Sequence, residues 1–129
     1  MFNGIQKVHN ENGRSLLTSH FHKKNRYMYI RMSWTQIGQD IDGEAASDYS
    51  GWSVSISADG SIVAIGADGN DGSGNSAGHV RVYQTPATVG GAWTQIGLDI
   101  DGEAASDYSG SVSLSADGSI VAIGATGND

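Results

Sequence analysis

Polar and apolar residues alternate with a period of two along several short runs of this chain. Ser53-Val54-Ser55-Ile56-Ser57 alternates strictly, which predicts a strand with one buried face and one polar or lightly covered face. Ile62-Val63-Ala64-Ile65-Gly66 is apolar on both faces and predicts a central, fully covered strand. Asp59-Gly60 lies between them. That dipeptide is a strong hairpin signal, because Gly tolerates positive φ and Asp hydrogen-bonds its own backbone. Residues Asp68 to Gly78 read as a polar loop, His79 to Tyr83 alternates again, and Thr85 to Gly91, with Pro86, reads as a connection. Trp93 to Gly97 predicts a fourth, outer strand, and Asp99 to Gly110 a lead into the next unit.

The same pattern is written twice. Trp34 to Gly51 returns at Trp93 to Gly110 with one change, Gln39 to Leu98. Ser53 to Ala67 returns at Ser111 to Ala125 with one change, Ile56 to Leu114. Trp52 has no counterpart. An extra residue inside a strand would turn every later side chain to the opposite face, so Trp52 is expected as a bulge or loop extension where its strand begins. Four antiparallel strands per unit and a long connection between units are the grammar of a β-propeller blade. A sandwich of similar strands would need no such repetition. The predicted fold is all-β: one complete four-stranded blade, preceded by a last strand at Trp34 to Gly38 and followed by the first two strands of another. That is an incomplete propeller of fewer than two full blades.

Charge divides the chain near Ser33. Residues 1–33 carry six Lys and Arg against Glu11 alone, whereas residues 34–129 carry Arg81 alone against thirteen acids. The first 33 residues read as a basic leader, poorly ordered, or at most a short helix around Ser15 to His22, with a strand at Tyr27 to Met32. His9, His20 and His22 are expected to be solvated. Residues 34–92 form the first repeat and 93–129 the start of a second. The acidic repeats would repel phosphate, which argues against nucleic acid as a partner. No cysteine is present, so disulfides and thiolate metal sites are excluded. No segment approaches the roughly 18 apolar residues of a membrane span. The N-terminus lacks the features of a secretory signal, so any export signal is expected outside these residues.

Gly51 to Ile56, Ile62 to Ala67 and Gly78 to Tyr83 resemble the FG-GAP repeat, the blade unit of integrin α-subunit propellers. The variant has Ser-Ala-Asp-Gly-Ser at its hairpin and Trp-Thr-Gln-Ile-Gly at its outer strand. The resemblance covers residues 34–129. It implies a propeller, usually in extracellular or surface proteins that bind other macromolecules. The family's hairpin often holds an Asp-rich calcium loop. Here Ser57 to Ser61 offers one carboxylate, which cannot supply the six to eight oxygens that calcium takes.

Two other groups could hold a cation. Asp40, Asp42, Glu44 and Asp48, repeated as Asp99, Asp101, Glu103 and Asp107, place carboxylates at alternate positions, as a calcium loop does, but without the spacing of an EF-hand. Asp and Gly capping the inter-blade connection is the simpler reading. Asp68, Asn70, Asp71, Ser73 and Asn75 offer further oxygens in a loop that reads more simply as a turn. His79 is expected to be structural. Trp34, Trp93, Tyr49, Tyr108 and Tyr83 are expected to pack between blades rather than stack on carbohydrate. The resemblance implies a non-catalytic recognition or adhesion module, from a surface or extracellular propeller that binds protein or glycan. Further blades are expected, with self-association of the isolated chain. The alternatives are a fragment of a propeller enzyme acting on polysaccharide and a purely structural spacer array.

Overall fold

The computed structural model describes residues 5–9, 15–20, 29–31 and 34–129, with backbone structure alone for those before 34. The chain divides into two compact units, Met1–Thr35 and Gln36–Asp129. In the first unit β1 (Ile5–His9), β2 (Ser15–His20) and β3 (Tyr29–Arg31) form an antiparallel sheet in the order β1-β2-β3. Ser15–His20 is therefore a strand and not a short helix. It pairs on both edges, with His20 opposite Ile5 and Tyr29, and those ladder bonds outweigh the marginal helicity of so short a segment. The expected strand at Tyr27 to Met32 is seen as β3; Tyr27, Met28 and Met32 lie outside the described residues. So do His22 and the side chains of His9 and His20.

The second unit is all-β, with no helix among the described residues. β4 (Ser53–Ile56), β5 (Ile62–Ala67), β6 (His79–Gln84) and β7 (Thr94–Gln95) lie side by side in chain order, every pair antiparallel. This is a four-stranded blade. β8 (Ile100–Asp101) returns to the same edge of β6, with His79 opposite Asp101. The outer strand is thus longer than the expected Trp93–Gly97 and is broken in its middle. Ile96 N still donates to Val82 O at 2.8 Å. Gly97 then takes φ +77° and lifts the chain off the sheet before Ile100. A second sheet pairs β9 (Ser109–Leu114) with β10 (Val121–Ala125). Neither sheet closes into a barrel, and the arrangement is a partial propeller of two successive blades. The predicted strand at Trp34 to Gly38 does not form. Among the described residues its ladder contact is an isolated parallel bridge from Gly38 to Gly91.

The hairpins follow the expected chemistry. Gly60 and Gly118 take φ +73° and +71°, and each donates its N–H to the serine three residues earlier at 2.9 Å. Trp52 stands outside β4, exposed, with its N–H on Tyr49 O at 2.9 Å. Val54 pairs with Ile65 and Val112 with Ile123, so both copies keep one register and Trp52 is a loop extension. Without that residue, the second copy carries its strand back to Ser109 through an irregularity opposite Gly124 and Ala125.

Each sheet has one bulky and one small-residue face. Register places Val54, Ile56, Val63, Ile65, Arg81 and Tyr83 on one face of the first blade, and Ser53, Ser55, Ala64 and Gly66 on the other. Val63, Ile65 and Tyr83 form the core, with Ile41 and Trp93 packed against them. The small face meets β9 of the second blade. Ser53 Oγ and Ser55 Oγ accept hydrogen bonds from Val112 N and Leu114 N at 3.0 and 2.9 Å. A Cβ on Gly66 would lie 1.7 Å from Gly110 O, so only glycine allows the backbones to come this close. The serines of β4 are accordingly half-buried while Val54 and Ile56 are 58% and 59% exposed, the reverse of what alternation alone suggests. The serines face the following blade, and the valine and isoleucine face the position of a preceding one. In the second blade the equivalents exchange roles: Val112 and Leu114 are half-buried, and Ser111, Ser113, Ala122 and Gly124 are exposed.

Candidate functional site

The hairpin carboxylates are consumed by their own turns. Asp59 Oδ1 accepts from Ser57 Oγ (2.8 Å), Ser61 N (2.9 Å) and Ser61 Oγ (2.7 Å). These bonds, the Ser61 backbone first, hold its pKa down at about 2. Asp117 repeats the arrangement with Ser115 and Ser119, and the Ser115 hydroxyl leads in lowering its pKa to about 2. Asp59 has one oxygen engaged by three donors, and Asp117 has both engaged, Oδ2 accepting from Ser119 Oγ at 2.9 Å, which leaves this hairpin poorly suited to calcium.

The eight carboxylates of the inter-blade connections are dispersed. Asp48 is buried and accepts from Ala45 N (3.0 Å) and Asn70 Nδ2 (2.9 Å) through one oxygen. Asp107 is also buried and accepts from Ala104 N at 2.9 Å. Both act as turn caps. Asp40 is exposed and accepts from Gln36 Nε2 at 2.8 Å. The backbone carbonyl of Asp42, not its carboxylate, receives Arg81 Nη2 at 2.7 Å. Asp101 lies in β8 opposite His79, and Glu103 lines an open groove beside Ile123.

Glu44 and Asp99 do converge, on a residue outside the acidic motif. His79, in β6, has Nδ1 3.8 Å from Glu44 Oε2 and 4.0 Å from Asp99 Oδ2. The broken outer strand delivers Asp99, since β7 and β8 leave the sheet between them at that residue. Sequence reasoning missed this trio because its members come from three segments, one of them in the next repeat. The available signal was that His79 is the only histidine after residue 33.

The loop from Asp68 to Gly78 spends most of its oxygens on itself. Asn70 Oδ1 accepts from Gly72 N and Asp71 Oδ1 from Ser76 N, at 2.8 and 2.7 Å. Ser73 Oγ donates to Gly102 O at 3.0 Å. Asp68 Oδ1 is buried and has no hydrogen-bond partner among the described residues. It borders a cleft of about 340 Å³ where the connections of the two repeats meet, lined by Ser47, Tyr49, Asp68, Gly69, Asp71, Asn75, Ser76 and Tyr108. Ser47, Tyr49, Ser76, Ser106 and Tyr108 are the non-glycine residues with positive φ among those described, and all but Ser106 line this cleft. Tyr49 and Tyr108 are 64% and 44% exposed. Tyr83 and Trp93 pack, but within the first blade's core rather than between blades. Tyr49, Tyr108 and Trp34 are exposed, the two tyrosine rings edging Gly69 and Gly127. Desolvation in the core raises the Tyr83 pKa above its ordinary value.

Among the described residues no helix is long and apolar enough to cross a membrane. A family model described as FG-GAP repeat matches residues 41–83, the span from the first connection through β6. No curated protein and no solved structure matches the chain.

Proposed function

We propose that this chain, with the FG-GAP repeat at residues 41–83, is part of a surface or extracellular propeller that recognises a ligand without turning it over, and that a glycan occupies the cleft between Tyr49 and Tyr108. One observation carries the reading: four residues in an unfavourable backbone conformation surround a single cleft. Left-handed backbone at a residue with a side chain costs about 1–3 kcal/mol and gathers where a ligand is held. The chemistry of the lining supports a sugar. Two exposed aromatic rings offer flat faces to the C–H side of a pyranose. Asp68 and Asp71 offer carboxylate oxygens to its hydroxyls, and Asp68 Oδ1 lacks the partner that a buried acceptor requires.

The test is calorimetric titration with soluble plant, algal and matrix polysaccharides, together with an assay for reducing ends. Saturable binding without new reducing ends is expected, weakened at least about tenfold (1.4 kcal/mol) by Tyr49→Ala or Tyr108→Ala. Release of reducing ends would favour an enzyme. Glycan binding unchanged in both variants would remove the cleft from the reading, and binding to protein ligands alone would remove the glycan.

A further inference from the structure

We propose that Glu44, His79 and Asp99 form a binding site for a divalent transition-metal ion of the zinc type, built between one repeat and the next. The ligand atoms are Glu44 Oε2, His79 Nδ1 and an Asp99 carboxylate oxygen, all within 4.8 Å of one another. His79 is 1% exposed. Among the described residues its side chain makes no hydrogen bond, and its Nδ1 faces the two carboxylates at 3.8 and 4.0 Å. Those separations are too long for hydrogen bonds and too short to be unrelated. Ligands held about 2.0–2.2 Å from a tetrahedral zinc lie about 3.4 Å from one another. Both histidine–carboxylate pairs would close by roughly half an ångström, within reach of side-chain rotation at the exposed Glu44 and half-buried Asp99.

The surroundings fit a bound cation. Gln95 Nε2 donates to Asp99 Oδ1 at 2.6 Å, leaving Oδ2 turned to His79. Asn70 Nδ2 reaches Glu44 Oε2 at 3.4 Å. Partners of this kind orient metal-ligating carboxylates. No Lys or Arg pairs with either carboxylate among the described residues, since the guanidinium of Arg81 binds Asp42 O and lies over Tyr83. Two carboxylates thus converge on one imidazole with no Lys or Arg beside them among the described residues, an arrangement whose negative charge a divalent ion would offset. An imidazole nitrogen selects a transition ion over calcium, which takes oxygen ligands. Three protein ligands leave the fourth position to water.

Titration of the chelator-treated 129-residue chain with Zn²⁺ tests the site, followed by calorimetry and by the ¹⁵N resonances of the histidine rings. His79 is buried, so its replacement risks unfolding the blade, and the decisive variants are Glu44→Gln and Asp99→Asn. Zinc is expected to shift His79 Nδ1. Each variant should keep its circular dichroism and bind zinc at least about tenfold more weakly, the lower end of what even an outer-shell partner contributes. Glu103→Gln alters the repeat equivalent of Glu44 and should leave zinc affinity unchanged, and a tenfold excess of Ca²⁺ should not displace the ion. The proposal is overturned if zinc moves only His9, His20 or His22, or if E44Q and D99N bind zinc as the parent chain does.

Discussion

Gly66 and Gly124 occupy the same place in two copies of one sequence, and alanine at each should have opposite consequences. At Gly66 the added Cβ would stand 1.7 Å from Gly110 O and 2.7 Å from Gly110 C. Relief requires the two sheets to part by about 1.5 Å, to an ordinary C···O contact. A parting of that size would stretch the bonds from Val112 N to Ser53 Oγ and from Leu114 N to Ser55 Oγ beyond hydrogen-bonding range from their present 3.0 and 2.9 Å. Each such bond is worth about 1 kcal/mol net, and overpacking a tight contact costs about 1–3 kcal/mol more. Gly66→Ala should therefore destabilise by about 3–5 kcal/mol. At Gly124 a Cβ meets only Ser111 Cβ, at 3.5 Å. Gly124→Ala should be neutral, or stabilise by up to about 1 kcal/mol through the entropy it removes from the unfolded chain. Urea unfolding followed by tryptophan fluorescence measures both. If G66A costs less than about 1 kcal/mol, or the two variants behave alike, the blades do not stack as described.

Other expectations follow from the same contacts. Ser53→Ala with Ser55→Ala should cost about 2 kcal/mol in urea unfolding, whereas Ser111→Ala with Ser113→Ala, at exposed positions, should fall within about 0.5 kcal/mol of the parent; equal costs would refute the serine contacts. Asp59 and Asp117 have folded pKa values of about 2, below the ordinary carboxylate range, so their contribution is complete above pH 4 and is lost as pH falls toward 2. D59N with D117N should flatten the loss of stability across that window, and an unchanged acid profile would contradict it. Deleting Trp52 should leave the Val54–Ile65 register intact, seen as unchanged cross-strand nuclear Overhauser effects, because the second copy already folds without it. The exposed Val54 and Ile56, with the uncovered small face of the second blade, predict self-association, which light scattering at rising concentration would detect; a strictly monomeric chain would count against those faces as stacking surfaces.

Much of the blade was legible along the chain. β5 and β6 stand where continuous or alternating apolar residues placed them, and the two Asp-Gly hairpins adopt the expected left-handed glycine. Period two, however, specifies two faces without saying which is covered. In Ser53-Val54-Ser55-Ile56 the serines are the better buried, because a neighbouring strand needs their hydroxyls. The outer strand runs past its expected end for a similar reason: Asp99 to Asp101 looks like a polar connection, and its return to β6 depends on the exposed edge of that strand. The acidic motif, which could have been a cation loop and more simply a capped connection, is spread by the fold, which buries Asp48 and Asp107 as caps and brings Glu44 and Asp99 near a histidine no local spacing links to them. The tyrosines at positions 49 and 108 looked like packing residues, and the strained backbone that exposes them has no signature in residue type.

The serine contacts between the blades also give the chain a polarity. Ser53 and Ser55 receive N–H groups from the following blade, and Val54 and Ile56, the repeat equivalents of the donors Val112 and Leu114, would offer theirs to a preceding pair of serines. Every unit thus carries a socket on one side and a plug on the other, and the two cannot be exchanged. A head-to-tail contact of this kind has no natural end: it closes into a ring or continues as a filament. A duplicated copy brings both halves of the joint with it and can join the series without new interface residues. A unit whose two β4 serines are replaced would still dock on the blade before it but hold the one after more weakly, so that two hydroxyl groups set the strength of one joint and leave its neighbour untouched.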